Sequence, residues 1–350
     1  MAVISPYSVG TEVDVSNFLI TRLQATKAIK IETIQSLWSG YGEIARYKLI
    51  TDGKEEQVIV KNIQPPSQVE HPYQWNNEHS HQRKMHSYHV EATWYKNWAH
   101  LCSVETPLPN YLASKFDEAT GQSIMVLSDL NVQGFPHRRE QLSLDECKAV
   151  ISWLAHFHGQ FITKDPQSNW CDDLWPMGCY WHLATRTDEF EAMPDNELKH
   201  QAAAIDTLLN QCQFQTLVHG DAKVANFCFS DDFKNRGVAA VDFQYVGAGV
   251  GVKDLIYLLG SCLSVDECET HYDILTEFYF QQLISAVKTK LTKDDTLSLV
   301  TQWRQLLVFA WADFERFLQG WAPKHHKRNR FSETMTNQAL AELKSNNNLD

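Results

Sequence analysis

The run Leu217-Val218-His219-Gly220-Asp221-Ala222-Lys223-Val224-Ala225-Asn226 joins an apolar strand to a carboxylate at its tip and an amide shortly after it. Transfer of a phosphoryl group to an alcohol needs a carboxylate that orients the hydroxyl and accepts its proton. It also needs an amide oxygen nearby to help hold the cation that neutralises the phosphates. Asp221 and Asn226 supply these two groups. A second apolar strand, Val238-Ala239-Ala240-Val241, ends in Asp242-Phe243-Gln244. A carboxylate at a strand end can reach a divalent cation that bridges nucleotide phosphates. The pattern assigns Asp221 as base and Asn226 with Asp242 as magnesium ligands. His219 reads as structural, its imidazole holding the loop by hydrogen bonds. Lys223 either neutralises transferring phosphate or is a solvated surface lysine.

His219-Gly220-Asp221 to Asn226, followed by Asp242-Phe243-Gln244, resembles the catalytic and metal motifs of aminoglycoside phosphotransferases and choline kinases. The closer likeness is to the ecdysteroid-kinase-like (CHK-kinase-like) group, which carries Asp-Phe-Gln where protein kinases carry Asp-Phe-Gly. It continues through Val246-Gly247 to Asp254-Leu255, is strong over 217–260, and extends more weakly over roughly residues 30 to 320. The resemblance implies a two-lobed α+β protein-kinase-like fold. A small β-rich N-lobe would span 1–130 and a larger helical C-lobe 131–350, with the nucleotide between lobes and the acceptor against the helical one.

The resemblance also implies that Lys61, closing the strand Val58-Ile59-Val60-Lys61, contacts the α/β-phosphates. Glu91 shares a helix face with Tyr88, Trp94 and Tyr95. An unpaired charge there is expensive, so Lys61 and Glu91 are read as an ion pair. Ser39-Gly40-Tyr41-Gly42-Glu43 joins two candidate strands, and Gly40 and Gly42 could bring backbone N–H groups to phosphate, although a full G-x-G-x-x-G is absent. Met125 to Leu130 resembles the inter-lobe segment whose backbone meets the adenine edge, with Leu127, Asp129 and Leu130 as the contact positions. Asp254 reads as a helix-start carboxylate beside the N-terminal dipole.

The elements that must position these groups follow from hydrophobic periodicity. Residues 43–51 and 57–63 flank Asp52-Gly53, a hairpin signal, and residues 111–116 and 123–127 form a second strand pair around a Gly121 turn. Between the pairs, residues 87–100 carry aromatics at helical spacing, so this lobe reads β, β, α, β, β. Helical patterns follow over 144–161 and 196–212. A β island spans 216–242, and helices resume over 252–263, 266–291 and 297–321.

Composition bounds the function. A chain of 350 residues, 43% hydrophobic and 21% charged, can bury a large core. A formal net charge of −12 disfavours a broad nucleic-acid or anionic-membrane surface. Met1 to Gly10 lacks a secretory pattern, and the apolar stretch near Leu306 to Ala312 is far shorter than the ~20 residues that cross a bilayer. The eight scattered cysteines suit reduced thiols, so a cytoplasmic location is expected. His71, His79, His81, His86 and His89 crowd one region without a recognised metal motif. Lys324 to Arg330 reads as a solvated helix end.

The expected function is an ATP- and Mg2+-dependent small-molecule kinase acting on a hydroxyl acceptor, with no nucleic-acid or membrane partner. The alternative is a nucleotide-binding pseudokinase or interaction module without turnover. Trp303, Trp311, Asp313 and Trp321 either line an acceptor pocket for an amine-bearing or ring-shaped alcohol or pack the last helices.

Overall fold

The computed structural model describes residues 14–37, 40–65 and 78–347. Ser39, His71 and the stretch Met1–Gly10, all named above, lie outside the described residues. The chain folds as two compact units, one holding residues up to Met85 together with Pro109–Gln133, the other His86–Leu108 together with Gly134 onward.

The first unit opens with α1 (Val15–Leu23), capped by Asp14, whose carboxylate accepts from the Asn17 N–H at 3.1 Å. Three strands follow, β1 (Lys27–Ser36), β2 (Gly42–Thr51) and β3 (Lys54–Ile63), then α2 (Glu78–Thr93), of which residues up to Met85 belong to this unit. Strands β4 (Tyr111–Phe116) and β5 (Ser123–Ser128) complete a five-stranded antiparallel sheet in the order β1-β2-β3-β5-β4. The β2–β3 turn is the expected Asp52-Gly53 pair, with φ of +50° and +77°. Both residues at positive φ match the right-handed twist of the flanking strands. Ala45, Tyr47, Leu49, Val58, Val60, Ile124 and Val126 bury one face of the sheet with Leu19 of α1. Lys61 alternates with Val60 and so belongs to the opposite face.

α1 was not among the elements expected from the sequence, and β1 was expected only as the unbounded strand before the Gly40 and Gly42 loop. β1 is almost wholly exposed, and its Lys27, Lys30, Glu32 and Gln35 interrupt any apolar pattern. It is held by register with β2 rather than by burial.

In the second unit the remainder of α2 passes into a π-turn (Trp94–Trp98) and a 3₁₀ turn (Ala99–Leu101). The expected helix over 87–100 therefore begins earlier and ends irregularly. α3 (Leu144–Phe161) and a short β6 (Thr163–Lys164) follow, then α4 (Thr187–Ala192) and α5 (Glu197–Asn210). The β island resolves into β7 (Phe214–Val218), β8 (Phe227–Phe229), a one-turn α6 (Phe233–Arg236), β9 (Val238–Ala240) and β10 (Gly247–Gly249). Helices α7 (Val252–Cys262), α8 (Val265–Val287), α9 (Lys293–Trp321) and α10 (Arg330–Asn347) close the chain.

Helix starts follow local chemistry. Ser143 with Glu146, and Ser264 with Glu267, form reciprocal capping boxes on α3 and α8, and Thr292 caps α9 through the Asp295 N–H. The α+β organisation expected from the sequence, β-rich first and helical afterwards, is borne out. Among the described residues, no helix is long and apolar enough to cross a membrane.

Candidate active site

β7 is buried along its whole length, Gln215 and Thr216 included, so it delivers the loop that follows it at a fixed place. Asp254 in the first turn of α7 anchors that loop: its carboxylate accepts the His219 N–H at 2.6 Å and the Gly220 N–H at 3.0 Å. His158 of α3 also donates to it from Nε2 at 3.1 Å, and the His158 Nδ1 accepts from the Tyr279 hydroxyl at 2.8 Å. Asp254 therefore satisfies backbone donors of the loop that carries Asp221, a role beyond the helix-start reading. Gly220 has φ +80°, and a Cβ on it would lie 2.1 Å from the Tyr245 carbonyl oxygen. Only glycine fits there.

His219 is structural, as expected. Its Nε2 donates to the Val241 carbonyl at 2.9 Å and its Nδ1 accepts the Asp221 N–H at 3.3 Å. One ring thereby ties the Asp221 loop to the segment that leads into Asp242. Asn226 makes the same connection through backbone, its carbonyl accepting the Val241 N–H at 2.9 Å.

Around Asp221 the polar groups converge. The carboxylate Oδ2 accepts from Lys223 Nζ at 2.8 Å and from Asn226 Nδ2 at 3.0 Å, and the same amide donates to the Asp221 carbonyl at 2.7 Å. With Nδ2 so oriented, the Asn226 Oδ1, the atom that can ligate a cation, has no donor among the described residues. Burial pushes the Asp221 pKa up, the negative charge of Asp242 adds to this, and Lys223 opposes it. The Lys223 ammonium is pulled down by burial but held above its ordinary value by Asp221 and Asp242.

Phe243 is fully buried, stacked on Trp94 at 4.9 Å and packed 4.6 Å from the His219 ring. It pins the Asp-Phe-Gln run while its neighbours stay partly open. Asp242 takes a left-handed backbone conformation, φ +67°, which Asp tolerates better than most residues, and accepts from Gln244 Nε2 at 2.6 Å. Gln244 accepts in turn from the Ser87 hydroxyl at 3.1 Å. Glu91 is 3% exposed among the buried Tyr88, Trp94 and Tyr95, as its helical spacing requires. Glu91 and Asp242 both raise the Tyr95 pKa, after burial.

In the first unit, Lys61 is buried in β3 between Ile44 of β2 and Met125 of β5. Lys84 of α2, which no sequence motif singles out, lies close enough to feel its charge. Burial first and Lys61 second lower the Lys84 pKa to about 8. Lys84 Nζ stands 4.4 Å over the Tyr41 ring, and the Tyr41 hydroxyl bonds His81 at 2.5 Å. Gly40 has φ +73° and open space where a Cβ would be; Gly42 has φ +121°, and a Cβ on it would lie 2.0 Å from the Asn62 carbonyl oxygen. The second glycine is thus demanded by strand packing whether or not phosphate is near. Leu127 lies within β5 with a strand partner on each side, Ile59 and Tyr111. Asp129 is buried and committed to Arg46 at 2.6 Å and to the Asn131 N–H at 2.9 Å, and Leu130 is buried after it.

Of the two readings of α9, packing of the last helices holds for Trp303, Trp311 and Asp313. Trp303 is fully buried and donates to the Phe214 carbonyl at 3.1 Å, and Trp311 is 2% exposed. Asp313 is sealed in a charge cluster, with Arg316 at 2.8 Å, Lys253 at 3.6 Å and the Trp181 indole N–H at 3.1 Å. These residues build the interior, because the face of α9 that carries them is turned inward. Trp321 is half-buried, stacked at 5.4 Å on Phe317. The residues near Asp221 that sequence reasoning missed are Tyr180, Tyr257 and Lys327. Asp221 contributes to the raised Tyr180 and Tyr257 pKa values, after burial, and the Tyr180 N–H donates to the Gly220 carbonyl at 3.0 Å.

Comparison with known proteins adds the following. The chain superposes on aminoglycoside 2'-phosphotransferase-IIIa in its GDP complex with a TM-score of 0.46 at 12% identity, over 95% of this chain and 97% of that one. For a microcompartment-associated aminopropanol kinase the values are 0.45 and 14%, over 92% of each chain. For the choline kinase LicA from Streptococcus pneumoniae they are 0.40 and 11%, over 94% of this chain and 97% of that one. No curated protein matches the sequence. Residues 177–291 match the model of the ecdysteroid kinase-like family, so the likeness carried by His219 to Asp254 is borne out over the span that holds those motifs.

Proposed function

We propose that this chain is an Mg2+- and ATP-dependent small-molecule kinase that transfers the γ-phosphoryl group to a hydroxyl. The observation that supports it most is the convergence of Asp221, Lys223, Asn226 and Asp242 around the ends of the short buried strands β7, β8 and β9, with the Asn226 Oδ1 left without a donor among the described residues. The acceptor hydroxyl hydrogen-bonds the Asp221 carboxylate and gives up its proton there. The Asn226 Oδ1 and the Asp242 carboxylate are hard oxygen donors of the kind Mg2+ takes. A magnesium ion held there supplies charge neutralisation on the phosphates. Lys223 holds Asp221 in orientation. Lys61 is assigned to the α/β-phosphates, with Glu91 as its counter-ion and Lys84 as a second cation near it. Gly40 and Gly42 are assigned to the phosphate loop, and the segment containing Leu127, Asp129 and Leu130 to the adenine edge.

Binding and chemistry separate in two variants. Asp221→Asn keeps size and hydrogen bonding but removes the base, so single-turnover transfer from radiolabelled ATP into a metabolite extract should fall by roughly 10²-fold or more. Its MgATP Kd should barely change. Asn226→Ala should instead weaken magnesium-dependent nucleotide binding. Near-normal turnover in folded Asp221→Asn would sink the assignment, and MgATP binding without transfer by the unaltered protein would favour the interaction module.

A further inference from the structure

We infer that the acceptor presents a carbonyl or carboxylate oxygen to Lys327 and carries no ammonium group: it is a hydroxylated, non-cationic compound lying against Tyr180 and Tyr257. This rests on the kinase reading only for which group reacts. The rest comes from the cations that surround Asp221.

Lys327 lies in the turn between α9 and α10. That turn is held by the Lys327 N–H donating to His325 Nδ1 at 3.2 Å, by Arg328 bonding Glu315 at 2.7 Å and by Asn329 donating to the Lys327 carbonyl at 3.3 Å. Its ammonium stands 4.4 Å over the Tyr257 ring and 5.7 Å from Phe314. No carboxylate or hydrogen-bond acceptor meets that ammonium among the described residues. Tyr257, beneath it, packs 5.5 Å from Tyr180, whose N–H bonds the Gly220 carbonyl at 3.0 Å, so contacts lead from Lys327 to the loop that carries Asp221. Burial lowers the Lys327 pKa to about 8, with Asp221 opposing and Lys223 reinforcing the fall. Lys327 is half-buried and its ammonium meets aromatic faces only, so an oxygen supplied by a ligand would add a charge-assisted hydrogen bond that the protein does not provide.

The aromatic faces point the same way. Tyrosine rings could hold a cationic acceptor by cation–π attraction. Here, however, protein cations already lie over them: Lys327 over Tyr257, and Arg186 at 5.6 Å from the Tyr180 centroid and 5.5 Å from that of Phe317. An ammonium-bearing acceptor would add a positive charge beside Lys223 and Lys327, while the Asp221 carboxylate is already bound by Lys223 and Asn226. An oxygen acceptor gains a charge-assisted hydrogen bond and gives Lys327 the partner it lacks. The amine-bearing alternative weighed from the sequence is therefore the disfavoured one.

The test uses three matched alcohols: trans-4-hydroxycyclohexanecarboxylate, 4-hydroxycyclohexanone and trans-4-aminocyclohexanol. Kd values are measured by ligand-observed NMR, and phosphate transfer from MgATP is followed in parallel. The acid or the ketone should bind the unaltered protein at least about tenfold more tightly than the amine, as a charge-assisted hydrogen bond allows. The acid and ketone arms tell an anionic from a neutral group. Lys327→Met should abolish the preference, and Lys327→Arg should retain it. Equal or tighter binding of the amine, binding of none of the three, or a preference that survives Lys327→Met in a folded protein would overturn the inference. So would a Lys327→Met variant that slows transfer to all acceptors alike while keeping the preference, because Lys327 would then serve the phosphoryl group. A binding preference without any transfer would instead refute the kinase reading and leave this inference standing.

Discussion

Asp221 is acted on by opposing neighbours. Burial and the charge of Asp242 raise its pKa, Lys223 lowers it, and the net direction is upward. A base works only when ionised, so activity is lost as pH falls through that raised value. The acid limb of kcat/KM should therefore lie above the ordinary aspartate value of about 3.9. Because kcat/KM reports the free enzyme and kcat the loaded one, compensation of the Asp242 charge by a bound cation should move the limb in kcat to lower pH. Paired pH–rate profiles check this, and coincident limbs would argue that Asp242 does not hold the ion. Asp221, Asn226 and Asp242 were legible in the sequence because Asp221 and Asp242 follow short strands and Asn226 directly precedes one, so local pattern places all three at strand ends. Lys327 was not legible. It sits among Lys324, His325, His326 and Arg328, a composition that looks like a solvated end, and only the packing of the α9–α10 turn over Tyr257 brings it to the site.

The Asp221 loop owes its shape to elements far away in sequence. α7 supplies Asp254, α3 supplies His158 and α8 supplies Tyr279, a buried chain ending on the backbone of His219 and Gly220. Asp254→Asn would turn an amide N–H2 toward one of three donors, leaving a buried group unpaired at a cost of about 1–3 kcal/mol. Gly220→Ala meets both a positive φ and the Tyr245 carbonyl, and should lose at least about 2 kcal/mol. Denaturant melts of the two variants, read beside turnover, should show stability and activity falling together. Unchanged stability in either would mean that the loop is not held as described. The strand that ends at Val218 and the helices α3, α8 and α9 were readable from hydrophobic pattern. The bounds of β1 and the π-turn at Trp94–Trp98 were not, since the first is an exposed edge and the second departs from helical periodicity only once its tryptophans pack.

For the whole molecule, a net charge of −12 opposes the approach of a polyanion such as free ATP, so binding must rest on local cations. A ligand that binds only the folded form stabilises it by RT ln(1 + [L]/Kd), about 2.7 kcal/mol at a hundredfold excess over Kd. Thermal unfolding of the unaltered protein should shift upward with ATP when magnesium is present and much less when it is chelated. Asp221→Asn should keep the shift, because its carboxylate is assigned to the acceptor proton and not to the nucleotide. Asp242→Ala should lose most of it, since its carboxylate is the most direct protein ligand assigned to the phosphate-bridging ion. The four melts are informative only together. An equal shift in Asp242→Ala and the unaltered protein would remove the metal role, and a shift indifferent to magnesium would mean that ATP is held by the lysines alone.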